Sequence, residues 1–156
     1  MIYMARIRYS YKPKSEENAV RAMGYEIPIS FKHAVEICAA IRGKKVLNAM
    51  KFLEDVINLK KPVPFRKYKK KVAHKRGLNK WYAGRYPQKA AKYILDVLKN
   101  LVANAEYKGL NKDELILVHA QAKKGRKLKR YIPRAFGRAT PKFKTLTTVE
   151  FVAEVT

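Results

Sequence analysis

Residues 123–144 have the sequence KKGRKLKRYIPRAFGRATPKFK, in which ten of the 22 residues are lysine or arginine and none is acidic. Segments in which apolar and polar residues alternate flank this stretch on both sides. Together they predict a long β-hairpin over residues 120–146, with Pro133 and Gly137 near its tip. Like charges that face each other across paired strands are destabilising. A polyanion would remove this repulsion, so we expect the hairpin to bind RNA.

The composition favours the same class of partner. The chain has 156 residues and a net charge of +24, with 36 lysines and arginines against 12 acidic residues. A charge of this size indicates nucleic acid first and a membrane surface second. The single cysteine, Cys38, excludes an internal disulfide and fits a reducing compartment. No apolar run is long enough to cross a membrane. We expect one domain over residues 1–156, cytoplasmic, with no membrane partner and no homo-oligomer.

Helical spacing of apolar residues predicts three helices. The first begins after Ser30, a candidate N-cap, and ends at Gly43. The second covers approximately residues 45–59. Pro87 opens the third, which has a continuous apolar face and ends at Gly109.

Alternating patterns predict the strands. They cover residues 5–11, residues 115–120 and residues 148–155, and residues 12–29 form an extended connection. In the last strand Glu150 alternates with apolar residues, which predicts one face in contact with water. The expected fold is α+β, with three helices packed on a small three-stranded antiparallel sheet and a long basic β-hairpin extension.

Residues 60–86, here called the basic-aromatic loop, contain many cations, five large aromatic residues and no acid. They lack hydrophobic periodicity, and long loops of this kind are usually functional or disordered. Cations neutralise phosphates, and aromatic rings stack on unpaired bases. The same composition also occurs in solvated linkers, although linkers rarely carry so many aromatics. Residues 42–45, the predicted turn between the first two helices, form either a solvated corner or a phosphate clamp, and we favour the clamp.

The candidate RNA-binding residues are the cations and selected rings of this turn, the loop and the hairpin. They are Arg42, Lys44, Lys45, Arg66, Lys67, Tyr68, Lys69, Lys70, Lys71, His74, Lys75, Arg76, Lys80, Trp81, Arg85, Lys123, Lys124, Arg126, Lys127, Lys129, Arg130, Arg134, Arg138, Lys142 and Lys144.

The acidic residues do not form a catalytic pattern. Neighbouring acids, as in Glu54-Asp55 and Asp113-Glu114, diverge on a helix or strand, whereas a two-metal nuclease needs converging carboxylates. His33 and Glu36 are a single i,i+3 pair, which is too few ligands for a metal site. We expect no enzyme, no catalytic residue, no metal and no cofactor. A free RNA chaperone or regulatory RNA-binding protein is the alternative, and an RNA-processing enzyme is a more distant one.

Three segments resemble one family. They are SFKHAVEICAAIRGK (30–44), ANAEYKGL (103–110) and LKRYIPRAFGRA (128–139). They are similar to the universal large-subunit ribosomal protein of the polypeptide exit tunnel, twenty-second in the bacterial series and seventeenth in the eukaryotic one. The resemblance covers residues 5–155. VPFR (63–66) and GRYP (84–87) lie in an insertion that looks archaeal or eukaryotic, and an end at Thr156 favours the archaeal branch.

The resemblance implies a structural constituent of the large ribosomal subunit. Such a protein would bind 23S-type ribosomal RNA, support assembly, and contact neighbouring ribosomal proteins near the tunnel exit. Its hairpin tip would line the tunnel and contact the nascent polypeptide. Matched by motif, the tip is Pro133, Arg134, Ala135, Phe136, Gly137 and Arg138, and Phe136 replaces the polar or basic residue often found there.

Overall fold

The structure, a computed structural model, describes residues 8–155. Its three helices are α1 (Phe31–Ile41), α2 (Val46–Ile57) and α3 (Gln88–Tyr107). Its strands are β1 (Ala19–Ile27), β2 (Val63–Pro64), β3 (Gly84–Arg85), β4 (Leu115–Leu128), β5 (Tyr131–Pro133), β6 (Ala139–Pro141) and β7 (Lys144–Val155).

The main sheet has the order β1-β7-β4, and both pairings are antiparallel. β7 is therefore the central strand. Its residues Val149, Phe151 and Ala153 are fully buried, and they share one core with the apolar faces of the three helices. The predicted α+β fold, with its three-stranded antiparallel sheet and long hairpin, is confirmed.

All three predicted helices form, and local signals set their ends. Ser30 is the N-cap residue of α1, although its side chain accepts no capping hydrogen bond from the first turn of the helix. Gly43 and Gly109 follow the C-cap residues of α1 and α3 with φ angles of 77° and 72°. That left-handed backbone favours glycine, which lacks the Cβ that makes it costly in other residues. α3 has its predicted core, in which Leu98 and Leu101 are fully buried.

The prediction of a first strand at residues 5–11 is wrong for residues 8–11, which are irregular; residues 5–7 lie outside the described residues. The strand is β1, within the predicted extended connection. It pairs with β7 from Ala19 opposite Glu154 to Gly24 opposite Val149. A Cβ on Gly24 would lie 2.7 Å from Val97 Cγ2, so glycine permits the close packing of α3 here. Pairing with β7 thus overrides the weak local pattern of small residues.

The prediction that the last strand has one face in water is also wrong. Glu150 is fully buried on the face opposite the helices. The backbone N–H and the hydroxyl of Ser10 both donate hydrogen bonds to its carboxylate. The Tyr11 ring stacks on His119, with ring centroids 5.3 Å apart. The irregular residues 8–11 therefore cover this part of the sheet, a contact between the two ends of the chain.

Candidate nucleic-acid interface

The turn between α1 and α2 is held rigidly against β4. The Gly43 N–H donates to the Leu117 carbonyl at 2.8 Å, and the Leu117 N–H donates to the Lys44 carbonyl at 2.9 Å. The Arg42 guanidinium donates to the Ala120 carbonyl at 2.6 Å. The Arg42 side chain thus helps to hold the turn against β4, whereas Lys44 and Lys45 project from a fixed backbone.

Lys44 lies in an unusual environment for a surface cation. Its Nζ is 4.4 Å from the centroid of the Phe52 ring. Burial lowers the pKa of Lys44, and the positive charge of nearby Lys61 lowers it further. Lys44, Lys61 and Arg66 also line one cleft of about 500 Å³ between the turn and the basic-aromatic loop. An anion in this cleft would relieve the repulsion between these cations.

The basic-aromatic loop is more ordered than its sequence suggests. Its ends pair as the short antiparallel strands β2 and β3, with Val63 opposite Arg85. Inside them, the Phe65 N–H donates to the Ala83 carbonyl at 2.9 Å, and His74 forms an isolated bridge with Ala83. These backbone bonds were not visible in the sequence because two-residue strands carry no periodic signal.

The aromatic residues of this loop divide into inner and outer groups. Phe65 is 2% exposed and belongs to the core, so its ring is not accessible for stacking on a base. The Trp81 indole N–H donates to the Phe65 carbonyl at 2.9 Å, and its ring stacks on Tyr82. Arg66 and Lys69 each lie 5.6 Å from the Trp81 ring centroid. Tyr82, 44% exposed, presents the most accessible ring of the five.

The hairpin extends from the main sheet as a two-stranded ribbon. β4 and β7 remain paired as far as Leu128 opposite Lys144, and β5 pairs with β6 beyond them. The tip closes with a hydrogen bond of 2.7 Å from the Arg134 N–H to the Arg138 carbonyl. Every residue from 126 to 139 is exposed.

Two residues at the turn of the tip adopt left-handed backbone conformations. Phe136 has a φ of 58° and Gly137 a φ of 66°. Phe136 is 95% exposed, so no contact within the described chain stabilises its ring. A large aromatic residue in a strained conformation and in full contact with solvent indicates a surface that meets a partner.

The predicted cations are almost all accessible. Lys123 is the exception, since its ammonium lies 2.7 Å from the buried Glu150 carboxylate. Arg126 is exposed but pairs with Glu26 at 2.8 Å, at the base of the hairpin. Tyr68 and Trp81 are half-buried. Lys123, Arg126 and, through its hydrogen bond to Ala120, Arg42 are therefore engaged within the protein. The other predicted cations lie on three separate surfaces: the turn, the loop and the hairpin.

Sequence reasoning missed two cations of these surfaces. Lys61 lines the cleft beside Lys44 and pairs with Asp55 at 2.7 Å. Lys32, on α1, lies with its Nζ 5.5 Å from the centroid of the Tyr68 ring. The Lys32 contact joins residues distant in sequence, so the local pattern held no signal for it.

The histidine, cysteine and acidic side chains are the possible metal ligands among the described residues. Within residues 8–155, no group of three or more histidine, cysteine, aspartate or glutamate side chains is placed to hold a metal ion. The His33 ring packs edge-on against Phe65, at a centroid distance of 5.6 Å. Burial lowers the pKa of His33, and the charge of Arg85 lowers it further. Over the same residues, no helix has the length and apolarity needed to cross a membrane.

A small α+β core with cations on a rigid turn, a loop and a projecting hairpin defines a class of basic, polyanion-binding proteins. The chain belongs to the family described as ribosomal protein L22p/L17e, whose sequence model matches residues 22–154. The predicted family is thereby confirmed.

Individual relatives, each a large ribosomal subunit protein uL22, match over nearly their whole length. The protein from Archaeoglobus fulgidus is 70% identical over 152 residues, covering 97% of this chain and 98% of the relative. That from Staphylothermus marinus is 54% identical, covering 94% and 95%. That from Methanocaldococcus jannaschii is 53% identical, covering 99% and 98%. These organisms support the predicted archaeal branch.

Proposed function

We propose that this protein is an RNA-binding structural constituent of the large ribosomal subunit, that it supports assembly of the subunit, and that its hairpin tip lines the exit tunnel. The proposed partners are 23S-type ribosomal RNA, neighbouring ribosomal proteins near the tunnel exit, and the nascent chain at the tip. The proposed location is the cytoplasmic ribosome. We propose no enzymatic role. The observation that carries the proposal is the exposed, acid-free hairpin of a chain that belongs to a ribosomal protein family.

The positive charge of the hairpin requires a polyanion to compensate it. From Lys127 to Lys144, both included, it carries seven lysines and arginines, and no acid compensates them. Tyr131 and Phe143 pack edge-on within it, but both rings remain exposed. Ribosomal RNA supplies phosphates for the cations and base or ribose faces for the rings. The free energy that orders the hairpin therefore comes from RNA contacts rather than from a core.

The turn and the loop are proposed as further RNA contacts, with the predicted residues in two roles. Exposed cations such as Lys45, Lys70 and Arg76 neutralise phosphates. Trp81 positions Arg66 and Lys69 over its ring, whereas Tyr82 offers a ring for stacking. These surfaces belong to the packed domain, so they bind without the ordering that the hairpin requires.

The tunnel role is proposed for residues 133–138. A two-stranded ribbon with a compact turn is narrow enough to pass between RNA segments, and its last residues are all exposed. Pro133 fixes one backbone angle, and Gly137 accepts a left-handed one. Arg134 and Arg138 can then contact phosphates at the tip, while the Phe136 ring packs on a base or faces the lumen.

Deletion of residues 133–138 tests this tunnel role. We expect the shortened protein to enter large subunits, because the domain and the loop retain most phosphate contacts. Ribosomes that carry it should show altered pausing on a panel of stalling peptides. The control is the full-length chain with Lys92→Gln, an exposed position on α3 outside the tip, and its pausing should match that of the unmodified protein. Full incorporation with unchanged pausing for the deletion would refute the tunnel role and leave the RNA-binding role intact.

A further inference from the structure

Glu36 is a buried carboxylate whose partners all lie in the basic-aromatic loop. It is 2% exposed and sits on α1 among core residues. Its Oε2 accepts a hydrogen bond from the Arg66 N–H at 3.0 Å. Its Oε1 accepts from the Lys67 N–H at 2.9 Å and from the Tyr68 N–H at 2.7 Å. Three successive backbone amides thus converge on one side chain.

Converging backbone amides form the kind of nest that proteins use to bind phosphate and other anions. Here the anion comes from the protein itself. Hydrogen bonds to an ionised acceptor are stronger than those between neutral groups. A buried carboxylate without such partners is strongly destabilising. Glu36 and the segment 66–68 therefore stabilise each other, and neither is satisfied without the other.

The same contact determines which way the segment faces. Within the loop, the Phe65 N–H donates to a backbone carbonyl, that of Ala83, whereas the N–H groups of the next three residues donate to the Glu36 carboxylate. With their amides directed at Glu36, Arg66 and Lys67 have exposed side chains, and Arg66 lies over Trp81. The nest is filled, so phosphates meet this segment through side chains rather than through its backbone amides.

We propose that Glu36 is a positioning residue for RNA binding, an internal anion that holds residues 66–68 in their RNA-binding shape before RNA arrives. The proposal rests on the proposed function, because RNA is taken as the ligand of the loop. It assigns the loop a behaviour opposite to that of the hairpin. The loop is ordered by a carboxylate of the protein, whereas the hairpin is ordered by the phosphates of its partner.

Glu36→Gln tests the proposal, with Glu150→Gln as the matched control. Both variants replace a buried carboxylate by its neutral isostere, but Glu150 lies on the opposite face of the sheet and makes no contact with the loop. A glutamine at position 36 keeps one acceptor oxygen and sets an NH₂ donor against a donating amide.

Two measurements are compared between these variants. Amide exchange at residues 66–68 should become at least about tenfold faster in Glu36→Gln, because charged hydrogen bonds are lost, and should be unchanged in Glu150→Gln. The salt slope of binding to a large-subunit RNA transcript should become shallower by about 1 to 2 in Glu36→Gln alone, as expected for one or two lost phosphate contacts. A merely structural role would weaken the fold in both variants and leave the slope the same.

Equal effects of the two variants, or unchanged exchange at residues 66–68, would overturn the proposal. If Glu36→Gln does not fold, Glu36→Asp replaces it, since this variant keeps the charge but shortens the side chain. Faster exchange confined to residues 66–68 then supports the proposal, and wild-type exchange contradicts it. Absence of salt-dependent RNA binding by the unmodified protein would instead refute the proposed function, and the exchange comparison would still decide the role of Glu36.

Discussion

Neutralising the hairpin should weaken the salt dependence of RNA binding by a calculable amount. The perturbation replaces Lys129, Arg130, Arg134 and Arg138 by glutamine. All four side chains are exposed, and none forms an ion pair with an acid of the described chain. If each neutralises one phosphate, the slope of log K against log salt should become shallower by about 3, which is roughly a 60-fold difference in affinity across a fourfold rise in salt.

The assay is equilibrium binding to a large-subunit RNA transcript over that salt range. A second quadruple variant, with glutamine at Lys89, Lys92, Lys99 and Lys112, is the control. These lysines are exposed, and three lie on α3, away from the proposed surfaces. The control has the same net charge, but its slope should change by less than about 1.

Thermal melts of both quadruple variants should match the unmodified protein, because no core contact changes. Equal slopes for the hairpin variant and the control would mean that net charge, not the hairpin, determines binding. That result would refute the assignment of the hairpin as a specific RNA contact.

Three further predictions concern stability and reactivity. Leu98→Ala should lower the free energy of unfolding by about 2–5 kcal/mol because Leu98 is fully buried, whereas Arg134→Ala should hardly change it in the free protein. Denaturant unfolding measures both values, and equal losses would mean that one of the two positions is misassigned. Burial raises the pKa of Glu150, but hydrogen bonds from three neighbouring side chains outweigh it and hold that pKa below its ordinary value. Its folded pKa is thus below its unfolded pKa, so its stabilisation is present at neutral pH and is lost as the pH falls from about 4.3 through the folded pKa. The free energy of unfolding of Glu150→Gln, measured against pH, should therefore not show this decrease at acid pH. The same decrease in the variant would contradict the assignment of the lowered pKa to Glu150. Burial raises the pKa of Cys38 to about 12, so an alkylating reagent at pH 8 should modify it only after unfolding; rapid labelling of the native protein would contradict its core position.

Local patterns were sufficient where structure depends on near neighbours. α3 follows from a proline at its start, a glycine at its end and an apolar face repeated at helical spacing. The hairpin follows from two alternating arms around a segment rich in cations, with Pro133 and Gly137 near its turn. Each of these signals comes from residues that are near neighbours in the sequence, so one sequence is enough to read them.

Contacts between distant residues were not predictable in this way. β1 forms because β7 offers it a partner more than 100 residues away. Glu150 is buried because Ser10 covers it, although its own strand alternates as if that face met water. Glu36 looked like half of an incomplete metal pair, whereas its partners are backbone amides of the loop. Every residue except proline has a backbone N–H, so no sequence motif could have indicated which amides bind Glu36.

The central claim is that the hairpin binds ribosomal RNA within the large subunit, and crosslinking in a cell extract tests it most directly. A photoreactive group is placed at single positions within residues 126–138, and the attached RNA is sequenced. We predict that large-subunit RNA dominates, and that the crosslinked protein sediments with large subunits at high salt in one copy per particle. Crosslinks spread over many unrelated RNAs, with the protein released from subunits by salt, would contradict the account and favour a free RNA chaperone.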